Sequence, residues 1–244
     1  MKIFVINMEK DVARKEYIKK IFDRQKIEEY EFVTAVNGKE LSENEKNALF
    51  DTKEFVKLNA KIPNDSQIGC CLSHQLCYKK LLESKDEWCL ILEDDILLPE
   101  NFKFELNAIE DKLNSSEKPI ILLLSGWFWY FNQNFLQNLN FKKVYSGFLA
   151  HSYLINRAAA QKLAEIKPFY TSDDWYNIRK KIGIDIYGRI PHLVNQNWNN
   201  NFESSTKSLT IKYEKGCIKA KLSILVKVIV QRIVKKFGNF EEAL

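Results

Sequence analysis

The chain opens on a short apolar run, Lys2–Ile6 (KIFVI), whose β-branched and aromatic residues predict a buried first strand. Asn7 ends it, and Val12, Tyr17, Ile18, Ile21 and Phe22 recur at helical spacing within Asp11–Arg24. A second strand is expected over Tyr30–Val36, closed by the Asn37-Gly38 turn. Leu41–Leu49 reads as a short polar helix, with Ser42 and, three residues on, Glu45 forming a capping box. Ser66–Glu83 predicts a longer helix, and Trp88–Leu92 a strand running directly into Glu93-Asp94-Asp95. After Pro99, Phe102–Leu113 is helical, and the wholly apolar Pro119–Ser125 suits a strand covered on both faces. Val144–Phe148 and Ser152–Ile155 follow as strands, and Asn156 caps an Ala-rich helix, Arg157–Ile166. Asp173–Ile182 is a further helix, and Ile184–Leu193 is extended.

Strands alternating with helices predict a layered α/β domain with a largely parallel sheet. Asn195–Ser208 is polar and aperiodic, so it reads as a linker. The expected organisation is a catalytic domain over 1–196, a linker over 197–208 and a tail over 209–244. On a helical wheel of the tail, Ile218, Leu222, Leu225, Val226, Ile229, Val230 and Ile233 gather on one side. Lys221, Lys227, Arg232 and Lys235 fall opposite, with Ile224 and Val228 blurring the division.

Composition sharpens this picture in two places. With 45% hydrophobic residues over 244 positions, the chain can bury a substantial core. The net charge of +5 is not spread evenly: residues 207–237 hold nine Lys/Arg against one Glu, whereas residues 1–206 hold 28 basic and 29 acidic side chains. A basic amphipathic tail on a near-neutral body points to a local contact with an anionic membrane surface, not with nucleic acid. The competing expectation is a helix that packs on the domain or on another copy. The opening residues are too short a run for a signal-peptide core, and no stretch has the roughly 18 apolar residues of a spanning helix. A cytoplasmic protein is therefore expected, and Cys70, Cys71, Cys77, Cys89 and Cys217 read as buried free thiols.

No Gly-rich dinucleotide, P-loop or hydrolase-elbow motif occurs. The segment WCLILEDDILL is the candidate for chemistry. Three adjacent carboxylates after an apolar strand repel one another, and desolvation raises their pKa values further. A hard divalent cation such as Mn²⁺ or Mg²⁺ offsets that repulsion. The site also falls where open α/β sheets bind ligands, beyond the carboxyl ends of strands. Spacing alone also allows an acidic, solvent-facing turn. Asp173 and Asp174, adjacent at a helix start, can raise each other's pKa and serve as a general base, or simply cap the helix. The aromatic run after Ser125-Gly126 suits either sugar stacking or core packing.

Several segments together resemble glycosyltransferase family 25. FVINMEKDVARKEYI is similar to its opening motif, QIGCCLSHQLCYKKLL to its Gly-Cys-x-x-Ser-His helix, ILEDDILL to its acidic motif, and SGFLAHSYLINRAAAQKL, SDDWY and PHLVNQ to its later segments. The resemblance runs in order over roughly Lys2–Gln196. Met8, Lys10 and Gln67 depart from the family pattern. It implies a GT-A type fold: a Rossmann-like, mixed and mainly parallel sheet flanked by helices, here followed by the basic amphipathic helix. It also implies inverting, metal-dependent transfer of a hexose, usually galactose, from a UDP-sugar to a saccharide acceptor. Taken with the basic tail, the expectation is a galactosyl- or glucosyltransferase acting on lipooligosaccharide at the cytoplasmic face of the inner membrane.

By the same resemblance, Asp95 would hold the metal, Glu93 would contact the ribose, and Asp94 would be a further sugar or supporting contact. His192 would be a late metal ligand. Asn7, Arg14, Ser73 and His74 would belong to the nucleotide-sugar pocket, with the Arg14 fork suited to a diphosphate. Asp174 would lead Asp173 as the base. Two rival readings are a metal-dependent phosphoester hydrolase and a non-catalytic membrane scaffold.

Overall fold

The computed structural model describes residues 1–197 and 218–243. The chain runs β1 (Lys2–Asn7), α1 (Val12–Arg24), β2 (Glu31–Thr34), α2 (Glu43–Leu49), α3 (Thr52–Asn59) and α4 (Asp65–Glu83). It continues through β3 (Trp88–Glu93), β4 (Ile96–Leu97), α5 (Phe102–Glu110), β5 (Ile120–Leu123), β6 (Phe128–Phe135), β7 (Phe141–Gly147) and β8 (Ser152–Asn156). Then come α6 (Arg157–Glu165), α7 (Trp175–Asn177, extended by a π-helical turn over Ile178–Ile182), β9 (Asp185–Arg189), β10 (Asn195–Gln196), α8 (Ile218–Lys236) and β11 (Phe240–Glu241).

Nine strands form one sheet in the order β11-β6-β7-β9-β5-β8-β3-β1-β2. β1 pairs parallel with both β2 and β3, and β5 pairs parallel with β9. β8 runs antiparallel between β3 and β5, while β7, β6 and β11 extend the far side antiparallel. Most strands therefore point one way, with β8, β7 and β11 reversed. This is the mixed, helix-flanked sheet that the resemblance implied.

The central strands are apolar throughout because both faces are covered. In β3, Cys89 and Ile91 pack under α4 and α6 with Phe4, Ile121 and Tyr153. Their neighbours Leu90 and Leu92 face α1 and α5, joining Val5, Phe22, Leu106 and Leu122. Period-two alternation thus feeds two separate cores. Each fully buried Leu or Ile contributes about 1.5–3 kcal/mol, which holds the carboxyl end of β3 in place.

Local chemistry explains several boundaries. Ser42 and Glu45 make the expected reciprocal capping box on α2. Asn156 caps α6 through Ala159 N and also binds Ile120 N, Ser116 O and Lys118 O, tying the helix start to β5. Several elements were not legible in the pattern, the two-residue strands β4 and β10 among them. α3 is short and capped by Asp51, and it buries Phe55. β6 carries a polar outer half, and β11 is two residues long. The helix expected from Asp173 starts at Trp175 instead and passes at once into the π-helical turn.

The tail differs most from expectation. α8 packs on α3 and β6, and β11 then joins the sheet edge, so the end of the chain is part of the domain. Ala220, Gln231 and Val234 are buried, and Gln231 Nε2 donates to Ser146 Oγ at 3.0 Å. Lys227 belongs to this inward face, not to the solvated basic side; its ammonium lies over the rings of Phe148 and Tyr176 at 5.3 and 5.1 Å. The predicted apolar face looks outward: Leu222, Leu225, Val226, Ile229 and Ile233 are between 47% and 61% exposed. Among the described residues no helix is long and apolar enough to cross a membrane. Most of the expected linker, the first part of the tail and Cys217 lie outside the described residues.

Candidate active site

The three acids after β3 take three different environments. Asp94 is buried and fully engaged: Arg14 donates to Oδ1 at 2.8 Å and Asn7 Nδ2 to Oδ2 at 2.7 Å. Burial raises its pKa, while Arg14 and Asn7 pull the other way. Asp95 Oδ2 accepts from Gln196 Nε2 at 3.0 Å and lies 3.4 Å from Arg14. Its Oδ1 is buried with no hydrogen-bond partner among the described residues. Burial, followed by the charge of Glu93, pushes Asp95 up to about 6. Glu93 goes the opposite way. Burial alone would raise it, but the His74 hydrogen bond at 3.3 Å and the positive charges around it hold it below the usual range.

An orphaned, buried carboxylate oxygen is costly to leave without a partner. The donor set here is rich in oxygen, and Asp95 Oδ1 is the atom left available. These residues fit a hard divalent cation of the Mn²⁺ or Mg²⁺ type.

The corner lines an open cleft of about 530 Å³, bounded by Arg14, the loop after β2 and the start of α4. Two glycines place that loop. A Cβ on Gly38 would lie 1.9 Å from the Asp65 carbonyl oxygen, and one on Gly69 would lie 2.5 Å from Val36 O, so the loop backbone rests directly on α4. Ser73 locks the contact by accepting from Val36 N at 2.8 Å while donating to Gly69 O at 2.7 Å. The next residue, His74, is held between Tyr153 OH at 2.7 Å and Glu93. The Gly-Cys-x-x-Ser-His segment is thus a wall of the cleft, in which Gly69, Ser73 and His74 each have their own task.

Of the expected site residues, Arg14, Ser73, His74, Glu93, Asp94 and Asp95 come together at this cleft. Asn7 acts one step back, holding Asp94 and accepting no place in the lining. His192 departs from expectation. Its Nδ1 pairs with Glu241 at 2.6 Å and its Nε2 with Asn195 at 2.7 Å, so neither ring nitrogen is open to a metal, and it does not line the cleft. Instead it ties β11 to the segment before β10. Asp174 is likewise occupied as a helix cap, accepting from Asn177 N at 3.3 Å and Asn177 Nδ2 at 2.6 Å, with Lys227 3.9 Å away.

Asp173 is partly exposed and near enough to Glu93 to feel its charge; burial first, then Asp174 and Glu93, raise its pKa. Unlike Asp174 it does not serve as the helix cap, and neither acid is in the lining of the cleft. The aromatic run divides too. Phe128 is fully buried, and Trp129 packs on Phe240, whereas Trp127 is exposed at a positive φ of 67°. Phe148, also exposed, donates its backbone N–H to Trp127 O at 3.0 Å.

Sequence reasoning missed the Gly38–Gly69 contact, the Cys70 thiol in the cleft wall, and Gln196 on Asp95. Part of the signal was in the sequence: Gly69 and Cys70 stand in the Gly-Cys-x-x-Ser-His segment, and Gln196 ends the PHLVNQ segment.

The sequence matches the family model described as "Glycosyltransferase family 25 (LPS biosynthesis protein)" over residues 1–176. A "Glycosyltransferase 25 family member" of Aedes aegypti is 26% identical over 219 residues, covering 83% of this chain and 33% of that protein. The human "Procollagen galactosyltransferase 2" is 27% identical over 129 residues, covering 51% of this chain and 20% of that protein. The chain thus spans a third or less of the length of these relatives. Among solved structures, a Drosophila β-1,4-galactosyltransferase 7 in complex with manganese, UDP-Gal and xylobiose is 10% identical, with a TM-score of 0.40 over 86% of this chain and 76% of that one. At that score the likeness carries no argument about chemistry. The family match, over most of the chain and across the residues that build the cleft, decides the matter: this chain belongs to glycosyltransferase family 25.

Proposed function

We propose that this chain transfers a hexose, galactose in the first instance, from a UDP-sugar to a saccharide of the lipooligosaccharide class, with inversion at the sugar carbon. The observation carrying this reading is Asp95 Oδ1, a buried carboxylate oxygen with no partner among the described residues, on a residue lining a cleft of about 530 Å³. Asp95 would hold Mn²⁺ or Mg²⁺, whose role when bound is to neutralise charge on the leaving diphosphate.

The chain's own residues supply the rest. Glu93, fixed by His74, is oriented to accept from a ribose hydroxyl. Arg14 and Asn7 keep Asp94 in place, and Arg14 stabilises both aspartates while adding positive charge beside the diphosphate position. The Gly38–Gly69 contact gives the donor a rigid wall whose backbone does not have to reorganise. Asp173, with its raised pKa, accepts the proton of the acceptor hydroxyl as that oxygen attacks, a task suited to a carboxyl tuned upward. Trp127 and Phe148 offer exposed aromatic faces on which a sugar ring can stack.

The outward apolar face of α8 is the proposed membrane contact. Exposed Lys221, Arg232, Lys235 and Lys236 accompany Leu222, Leu225, Val226, Ile229 and Ile233, and α8 has no acidic residue. This combination suits an anionic leaflet and a site of work at the cytoplasmic membrane surface, where a lipid-linked acceptor would be found.

The test is a panel of UDP-sugars with Mn²⁺, read by melting temperature and by transfer of labelled sugar to truncated lipooligosaccharide. A donor present at about 100 times its Kd stabilises by roughly 2.7 kcal/mol. If no nucleotide sugar raises the melting temperature in the presence of metal, the donor assignment is wrong.

A further inference from the structure

Within the same cleft stands a second cluster of ligand atoms, chemically unlike the acidic corner. Cys70 Sγ, a ring nitrogen of His74 and a Glu93 carboxylate oxygen all lie within 4.8 Å of one another. Cys70 and His74 are one turn apart on the same face of α4, and Glu93 meets them from the end of β3. We propose that Cys70, His74 and Glu93 form a site for a thiophilic divalent cation of the Zn²⁺ class, separate from the hard-ion position at Asp95.

Three observations carry this. The donor set of thiolate, imidazole and carboxylate is a three-ligand pattern that Zn²⁺ accepts, with solvent from the cleft as the fourth ligand. The His74 Nε2 to Glu93 Oε1 distance is 3.3 Å. Two ligands at about 2.0–2.1 Å from a tetrahedral ion stand roughly 3.3 Å apart, so this pair is already spaced for a shared metal. Finally, the imidazole is held from behind. Its Nδ1 is 2.7 Å from Tyr153 OH, which is 2.9 Å from Tyr78 OH, and the His74 and Tyr153 rings are stacked. That is the outer support a metal-bound histidine normally has.

The hydroxyl chain permits two tautomers. With the proton on Nε2, His74 donates to Glu93 across 3.3 Å. With the proton on Nδ1, His74 donates to Tyr153, and Nε2 turns a lone pair toward Glu93. Two acceptors then face each other, and a cation between them resolves the conflict. Metal binding therefore selects the second tautomer and releases the Cys70 thiol proton to solvent. Ser172 Oγ, 3.1 Å from Cys70 Sγ, can donate to the thiolate that forms. Occupation would also draw Glu93 away from the nucleoside, so the ion would compete with the sugar nucleotide; that consequence alone rests on the donor reading above.

The probe is Co²⁺ added to the reduced, chelator-stripped full chain and followed by absorption. One equivalent should produce a thiolate-to-cobalt charge-transfer band in the near ultraviolet, displaced by one equivalent of Zn²⁺. Cys70→Ser and Cys70→Ala should each lose the band, His74→Gln should weaken binding at least tenfold, and Asp95→Asn should keep the band. Melting curves of the variants check that each is folded. The proposal is overturned if Co²⁺ gives no charge-transfer band with the parent chain. It is equally overturned if the band survives in folded Cys70→Ser or disappears with Asp95→Asn. None of these readings depends on turnover, so they stand apart from success or failure of the donor panel.

Discussion

Asp95→Asn should make the metal-free protein more stable while abolishing its response to Mn²⁺. Asp95 is shifted from 3.8 to about 6 by burial and by Glu93. At 1.36 kcal/mol per pH unit, that gap corresponds to an upper bound of about 3 kcal/mol held against the ionised folded state. The sign follows from proton binding. Between these two values the folded chain keeps a proton that the unfolded chain has released, so stability is fully present below about pH 4, falls as pH rises toward 6, and levels off above. Asparagine can keep an oxygen toward Gln196 but cannot ionise, so this decline should vanish in the variant.

For a chain of this size, about 1 kcal/mol moves the melting temperature by roughly 2–4 °C. The variant should therefore melt several degrees above the parent at pH 8 without metal, with the difference shrinking toward pH 4.5. Mn²⁺ should then raise the parent and leave the variant unmoved. Metal affinity of the parent should fall about tenfold from pH 7 to pH 5, where about one Asp95 in eleven remains ionised. A variant no more stable than the parent at pH 8 without metal would refute the reasoning, because the acidic corner would then hold no repulsion for a cation to relieve.

Three further outcomes are expected. Asp173→Asn should lower kcat by about 10²–10⁴ with little change in KM, whereas Asp174→Ala should chiefly cost about 0.5–2 kcal/mol as a lost cap; steady-state kinetics beside melting curves separates the two, and the reverse pattern would exchange their roles. Gly38→Ala, whose Cβ would lie 1.9 Å from Asp65 O, should destabilise by about 1–3 kcal/mol and raise KM for the donor, as denaturant titration and kinetics can check. Leu225→Glu with Ile229→Glu, both at outward positions, should sharply reduce co-sedimentation with anionic vesicles and barely move the melting temperature. Unchanged sedimentation would remove the membrane reading of α8, while a large loss of stability would mean that this face is packed.

The local code was readable wherever one segment settles its own structure. Apolar runs with β-branched residues marked β1, β3 and β5, and Ser42 and Asn156 marked helix starts, because strand pattern and capping are properties of a few adjacent residues. The Glu93-Asp94-Asp95 corner was readable for the same reason. The order of matching segments also pointed to the family. Short or half-polar elements such as α3, β6 and β11 were hidden, since their stability comes from what they pack against and not from their own periodicity.

Roles inside the cleft depended on partners distant in sequence. Three adjacent carboxylates look equivalent in the chain, yet Arg14 and Asn7 occupy Asp94, His74 takes Glu93, and Asp95 is left with an open oxygen. The same holds for the two acids at 173 and 174, where Asn177 captures Asp174 as a cap. It holds again for His192, claimed by Glu241 and Asn195. The amphipathic pattern of the tail was visible in sequence, but which face met the domain was not, because α3 and β6 chose the side bearing Lys227 and Gln231. Sequence by itself determined the strands, the caps, the acidic corner and the amphipathic tail; the tertiary structure decided which charged groups are already satisfied, since a hydrogen bond depends on distance in space and not along the chain.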